Sequence, residues 1–176
     1  LALTSLSIDE AIIAWNETGD ATQWIVEYGT AGFTRGSGTT DIVFDTFAIL
    51  SGLTPNTNYD VYVRSLCAVG DSSKWISTSF RTACAPYADS LLPYSESFDT
   101  WTTASIDPCF AKGNNFVGTS SYPSVSSFNT HSGAKCMNIY STEAYASWLI
   151  LPEFETPANQ LQVSFWLRKT TDSYYP

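Results

Sequence analysis

His131 is the one histidine in this 176-residue chain, and so the one side chain whose ordinary chemistry suits a general base near neutral pH. A Ser-His-Asp relay would need it, with Asp107 or Asp172 as the orienting acid and one of many serines as nucleophile. It stands in Asn129-Thr130-His131-Ser132-Gly133, which reads as a loop, and no G-x-S-x-G elbow supplies a poised serine. Glu153 and Glu155 would share one strand face, and paired carboxylates can flank a glycosidic bond. Their setting between Pro152 and Pro157 reads instead as a strand end and turn carrying solvated acids. Gly29, Gly32, Gly36 and Gly38 follow no strand-to-helix junction, so they read as a long hairpin rather than a phosphate cradle. Cys67, Cys84, Cys109 and Cys136 lie 17, 25 and 27 positions apart with no C-x-x-C pair, which suits zinc poorly. An even count at wide spacing in Ser/Thr-rich sequence fits two disulfides and an oxidising compartment, with buried free thiols as the alternative. An oxidised cysteine is no nucleophile. These residues point away from an enzyme.

The elements that would carry such groups are strands. Apolar residues alternate with period two: Ala11, Ile13 and Trp15; Trp24, Val26 and Tyr28; Tyr59, Val61 and Val63. That is the pattern of strands buried on one side. Turn signals separate them at Glu17–Asp20, across Gly29–Gly38, at Leu53–Asn56 and at Val69-Gly70-Asp71-Ser72, as in an antiparallel sandwich. Aromatics make up 15% of residues and charged groups 14%, a composition suited to half-buried pleated surfaces. A net charge of −9 with eight Lys and Arg excludes the basic stripe that nucleic acid or an anionic membrane requires. No run of 18 apolar residues predicts membrane insertion, and LALTSLSIDE lacks the parts of a signal peptide. The chain is expected to be a mature piece or an internal fragment.

Trp15, followed by Leu53-Thr54-Pro55-Asn56-Thr57-Asn58-Tyr59 and Val61-Tyr62-Val63-Arg64, resembles a fibronectin type III module over residues 1–84. The resemblance makes Trp15, Leu53, Pro55 and Tyr59 structural, with the Tyr59 hydroxyl bonded to backbone near Gly52 to Pro55. The closing run Lys74 to Thr82 fits as well. The likeness is strongest to modules of secreted Bacteroidetes proteins, in which cysteines stand after the sixth strand and just past the seventh. It implies that Cys67 pairs with Cys84, leaving Cys109 to pair with Cys136.

Residues 85–94 read as a linker around Pro86. From 95 to 176 the order Ser95-Glu96-Ser97-Phe98-Asp99, Asp107-Pro108-Cys109-Phe110, Lys135 to Tyr140, Trp148-Leu149-Ile150-Leu151-Pro152 and Leu161 to Leu167 is similar to MAM-like jelly rolls. These include the cleaved-adhesin and choice-of-anchor modules. Phe110 stands where that family often has Trp. Only part of a two-sheet roll of about eight strands is countable, with strands expected near 95–98, 136–140, 147–151 and 161–167. Its missing strands are expected from the remainder of a larger polypeptide or from a second chain. The resemblance implies that Glu96 and Asp99 could contribute to a structural calcium site. The fold class is therefore all-β, a type III (immunoglobulin-like) sandwich followed by a partial jelly roll. The expected function is a non-catalytic structural or adhesive module of a secreted or cell-surface protein, contacting an extracellular protein or glycan. The alternative is a carbohydrate-binding accessory region of a secreted protease or glycoside hydrolase. Trp24, Trp75, Trp101 and Trp148 are candidates for a sugar-stacking platform, with core packing as the default. Asn16-Glu17-Thr18 fits a glycosylation acceptor but is read as a turn.

Overall fold

A computed structural model describes residues 1–68, 71–116 and 122–168. Asp172, the Val69-Gly70 half of one expected turn and the terminal Tyr174-Tyr175-Pro176 lie outside the described residues. The chain divides into two compact units, 1–85 and 86–176.

In the first unit the period-two runs form strands. β1 (Ala2–Leu6), β2 (Glu10–Ala14) and β5 (Phe47–Ser51) make one antiparallel sheet in the order β1-β2-β5. β4 (Thr39–Val43), β3 (Trp24–Thr30) and β6 (Asn58–Ala68) make the second. β7 (Asp71–Ser72) and β8 (Ile76–Arg81) both pair with β6, over different stretches of it. This is an immunoglobulin-like sandwich, as the type III resemblance implied. Its core is the inward half of each alternation: Ala11, Ile13 and Trp15 against Trp24, Val26, Tyr59, Val61, Val63 and Phe80, closed by Ala48, Leu50 and Leu53. Ile13, Leu50, Val26, Val61 and Val63 are fully buried, and each contributes roughly 1.5–3 kcal/mol relative to exposure.

The second unit is also built from strands, with 3₁₀ turns at Asp89–Leu91 and Ala158–Gln160. β9 (Ala111–Asn114) pairs with β12 (Ser147–Ile150), and β10 (Ser124–Ser126) with β11 (Cys136–Asn138), both antiparallel. Trp101 and Phe110 are buried, and their rings meet edge to face at 4.7 Å. Among the described residues no helix is long and apolar enough to cross a membrane.

Four expectations need correction. Residues 86–94 are not a linker. Tyr87 N–H donates to Glu153 O at 2.8 Å and Glu155 N–H to Tyr87 O at 3.0 Å, so the segment belongs to the second unit. Residues 95–98 form no strand, because the Glu96 carboxylate takes the Phe98 N–H at 2.5 Å and Phe98 adopts a φ of 63°. Residues 161–167 form none either. No strand among the described residues runs beside them, and Val163, Phe165 and Leu167 are 63%, 76% and 83% exposed. The fourth concerns the cysteines: Cys67 and Cys136 are free thiols, while Cys84 and Cys109 are disulfide-bonded. β6 and β8 run antiparallel with Asn58 opposite Arg81, so Cys84 lies past one end of the ladder and Cys67 past the other. From Asn58, the end beyond which Cys84 lies, to Cys67 is nine residues along β6, about 30 Å at about 3.3 Å per residue, far beyond the roughly 7 Å Cα separation that a disulfide tolerates. The Cys136 thiol donates instead to Phe128 O at 3.2 Å, leaving no Cys109–Cys136 bond.

Candidate binding surfaces

Among the described residues the structure does not assemble the chemical constellations that the residue types allow. His131 is exposed and stacks on Trp166, with ring centroids 4.0 Å apart and planes within 9°. The Asp107 carboxylate accepts the Cys109 N–H of its own turn at 2.8 Å. Glu153 and Glu155 are exposed on either side of Phe154, and Glu155 accepts the Asp89 N–H.

Glu96 and Asp99 hold backbone. Besides Phe98 N–H, Glu96 accepts the Tyr94 hydroxyl at 3.1 Å. Burial, followed by hydrogen bonding with Tyr87, holds the Tyr94 phenol well above its ordinary range. Asp99 Oδ1 accepts the N–H groups of Ala134 and Lys135 at 2.6 and 2.9 Å. The Lys135 and then the Ala134 N–H bonds hold its carboxyl below the usual carboxylate range. Calcium takes 6–8 oxygens, but among the described residues no three His, Cys, Asp or Glu side chains converge as ligands. Of the two carboxylates, Glu96 already accepts one N–H and one O–H, and Asp99 accepts two N–H groups on Oδ1.

Trp15, Leu53 and Tyr59 are buried, Pro55 is half-buried, and the Tyr59 hydroxyl accepts the Thr54 N–H at 2.9 Å. Thr82, which the sequence did not single out, is 2% exposed and completes this corner. Its hydroxyl donates to Thr54 O at 2.7 Å and accepts the Thr57 N–H at 2.9 Å. The glycine-rich stretch after β3 is a hairpin loop, and its amides serve the chain itself. Glu27 Oε1 accepts Gly36 and Gly38 N–H at 2.5 and 3.1 Å, and Asp60 accepts Gly32 N–H at 2.8 Å. The loop lays Phe33 edge-on to Tyr62 at 5.6 Å, with Arg35 over Tyr62 and Trp75, and Arg64 4.6 Å over Trp75.

The four tryptophans do not form one platform. Trp24 and Trp101 are buried, Trp75 is half-buried in the arginine stack, and Trp148 is exposed over Gly113. A different set of rings makes a continuous run on the second unit. Phe116 lies 5.6 Å from Tyr145 and 5.6 Å from Tyr140, and Tyr140 lies 5.3 Å from Tyr122. Tyr140 and Tyr145 are 42% and 39% exposed. The turn joining these two tyrosines is held by Thr142 N–H on Tyr145 O at 2.7 Å, and by Asn115, whose Oδ1 accepts Ala146 N–H at 2.6 Å. A shallow concavity lined by Thr142, Glu143, Ala144 and Tyr145 opens beside the run. Sequence reasoning missed it because its members come from separate stretches of the chain with no shared spacing.

A scan against protein-family models finds no match to this chain, and no curated protein matches it. Among solved structures it is similar to a computationally redesigned β-sandwich protein, at 22% identity over 47% of this chain and 89% of that one, with a TM-score of 0.42. It is similar to the FN1–FN3 domains of chicken CNTN1 at 18% identity over 47% of this chain and 28% of that one, with a TM-score of 0.43. For the fn3 domain of the human collagen alpha-1(XX) chain the values are 22%, 54% and 86%, with a TM-score of 0.44. These are likenesses of fold alone.

Proposed function

We propose that this chain is a non-catalytic adhesive module of a secreted or cell-surface protein, contacting glycan or protein through the second unit. The observation that carries this reading is the half-exposed run Tyr145–Phe116–Tyr140–Tyr122. Tyrosine gives a large, stiff contact surface with a polar tip, the kind of group that dominates recognition surfaces. The side chains of Asn115, Thr142 and Glu143 flank it, and a polar rim beside aromatic rings also favours the second reading, a carbohydrate-binding accessory to a secreted hydrolase. Disulfide-bonded Cys84 and Cys109 suit an oxidising compartment.

The apolar residues that alternate over 161–167, exposed from 162 on, fit a strand that pairs only when a neighbour is supplied, by the rest of a larger polypeptide or by a second chain. Strong amide protection across 161–167 in the chain alone would count against that pairing requirement.

A glycan array and a cell-surface protein capture, each run with the full chain and with Tyr140→Ala and Tyr145→Ala, test the contact. Loss of a captured ligand by roughly ten-fold or more in either variant is expected of residues at a contact centre. Binding untouched by both variants would remove the run from the function.

A further inference from the structure

In the first unit, the face of β3 and β6 turned away from the core carries a stack of aromatic rings and guanidiniums. Val26, Val61 and Val63 point inward, so strand alternation turns Ile25, Glu27, Tyr62 and Arg64 outward. Ile25 lies opposite Arg64 and Glu27 opposite Tyr62, and on edge strand β4 Ile42 lies beside Ile25. Arg64 sits 4.6 Å over the Trp75 ring. The glycine-rich loop folds back over this face and sets Arg35 5.8 Å over Tyr62 and 5.9 Å over Trp75, two rings whose planes are 88° apart.

The acids of this face are turned to other tasks. Glu27 is 3% exposed and gives Oε1 to Gly36 and Gly38 N–H, and Asp60 accepts Gly32 N–H and the Ser79 hydroxyl. These bonds pin the loop on both sides of Arg35 and leave the cations without a counter-charge. Arg64 donates to the neutral Ser72 hydroxyl at 3.2 Å. Exposed Arg35 makes no hydrogen bond or ion pair among the described residues. A guanidinium held over rings keeps its N–H edge for an acceptor, and a carboxylate matches that planar fork with two parallel bonds. Trp, Tyr and Arg are also the residues that dominate protein contact surfaces, and Ile42, 56% exposed, adds an apolar flank. A polyanionic glycan suits the face less well. A chain of net charge −9 repels it at long range, and two guanidiniums make no basic stripe.

We propose that this face docks an acidic segment of a protein partner, with Arg35 gripping an aspartate or glutamate carboxylate and an aliphatic neighbour resting on Ile25 and Ile42. It is a contact surface additional to the aromatic run of the second unit. The test is an NMR titration of the full ¹⁵N-labelled chain with the capped peptide Val-Glu-Val, its Val-Gln-Val counterpart and a sulfated disaccharide. The Trp75 indole N–H, assigned with Trp75→Phe, and the Gly36 amide are followed. The glutamate peptide is expected to move both signals saturably, and the glutamine peptide to leave them in place. Arg35→Lys keeps the charge but loses the fork and is expected to weaken binding roughly ten-fold. Lys112→Gln, which removes one charge from the second unit, should stay within about two-fold of the parent chain. Unmoved signals, an equal response to the glutamine peptide, full binding by Arg35→Lys or tighter binding of the disaccharide would each overturn the assignment. So would the same shifts on concentrating the chain alone, which would give the face to a second copy.

Discussion

Tyr59→Phe isolates one bond at the corner that sets the register of the first unit. The Tyr59 ring is buried and stacks on Phe80 at 5.8 Å with planes 18° apart, contacts that phenylalanine keeps. What disappears is the acceptor for the Thr54 N–H at 2.9 Å. A typical intramolecular hydrogen bond contributes about 1 kcal/mol net, and a buried group left unpaired costs about 1–3 kcal/mol. Thr54 is exposed, so water can take over its freed N–H, which places the cost near 1 kcal/mol. That corresponds to about a five-fold increase in the opening equilibrium. For a domain of this size it would lower Tm by roughly 4–8 °C. Native-state hydrogen exchange of Val26, Val61 and Val63 in the full chain reads the first unit alone, since the slowest amides report its global opening. The Thr54 amide should accelerate with them. Tyr59→Leu, which also breaks the ring stack, should cost about 2–4 kcal/mol. Unchanged exchange in Tyr59→Phe would refute the reasoning, and so would equal costs for the two variants.

Asp99 carries a lowered pKa from the Lys135 and Ala134 N–H bonds. Its stabilising contribution is therefore present above the unfolded value and lost as pH falls through the folded one. Its carboxyl should titrate below 3.8, with the amides of Ala134 and Lys135 shifting at the same midpoint; a midpoint at or above that value counts against the clamp. In the native, unreduced chain, alkylation should label exposed Cys67 quickly and half-buried Cys136 slowly, with Cys84 and Cys109 recovered only in disulfide-linked peptides. Peptide mapping that joins Cys67 to Cys84 would restore the pairing implied by family resemblance. Gly38→Ala would put a Cβ 2.5 Å from the Phe33 ring and 2.6 Å from the Tyr28 carbonyl. The expected loss is about 1–3 kcal/mol, as for other overpacked sites, and an unmoved denaturation midpoint would show that the loop is not pressed onto the sheet.

Period-two alternation made the first unit legible because burial on one face leaves that pattern in the residues themselves. Ala11, Ile13 and Trp15 face the core as their spacing requires. What alternation leaves out is neighbourhood. Leu161 to Leu167 carries the same signal, but a strand is a relation between two backbones, and no described strand lies beside it. The cysteines were misread for a related reason. Cys67 and Cys84 flank neighbouring strands, but antiparallel pairing sends the two positions to opposite ends of the ladder.

Chemistry is one level further from the pattern. Trp15 and Trp24 look alike in sequence, both inward-facing aromatics at strand positions, and both are buried. One indole N–H is satisfied by Glu17, and the other has no partner among the described residues. Nothing in their spacing separates them, because the difference lies in where a loop seven residues before Trp24 turns its carboxylate. The polar accounting of single atoms, which hydrophobic period does not encode, is what distinguishes the two.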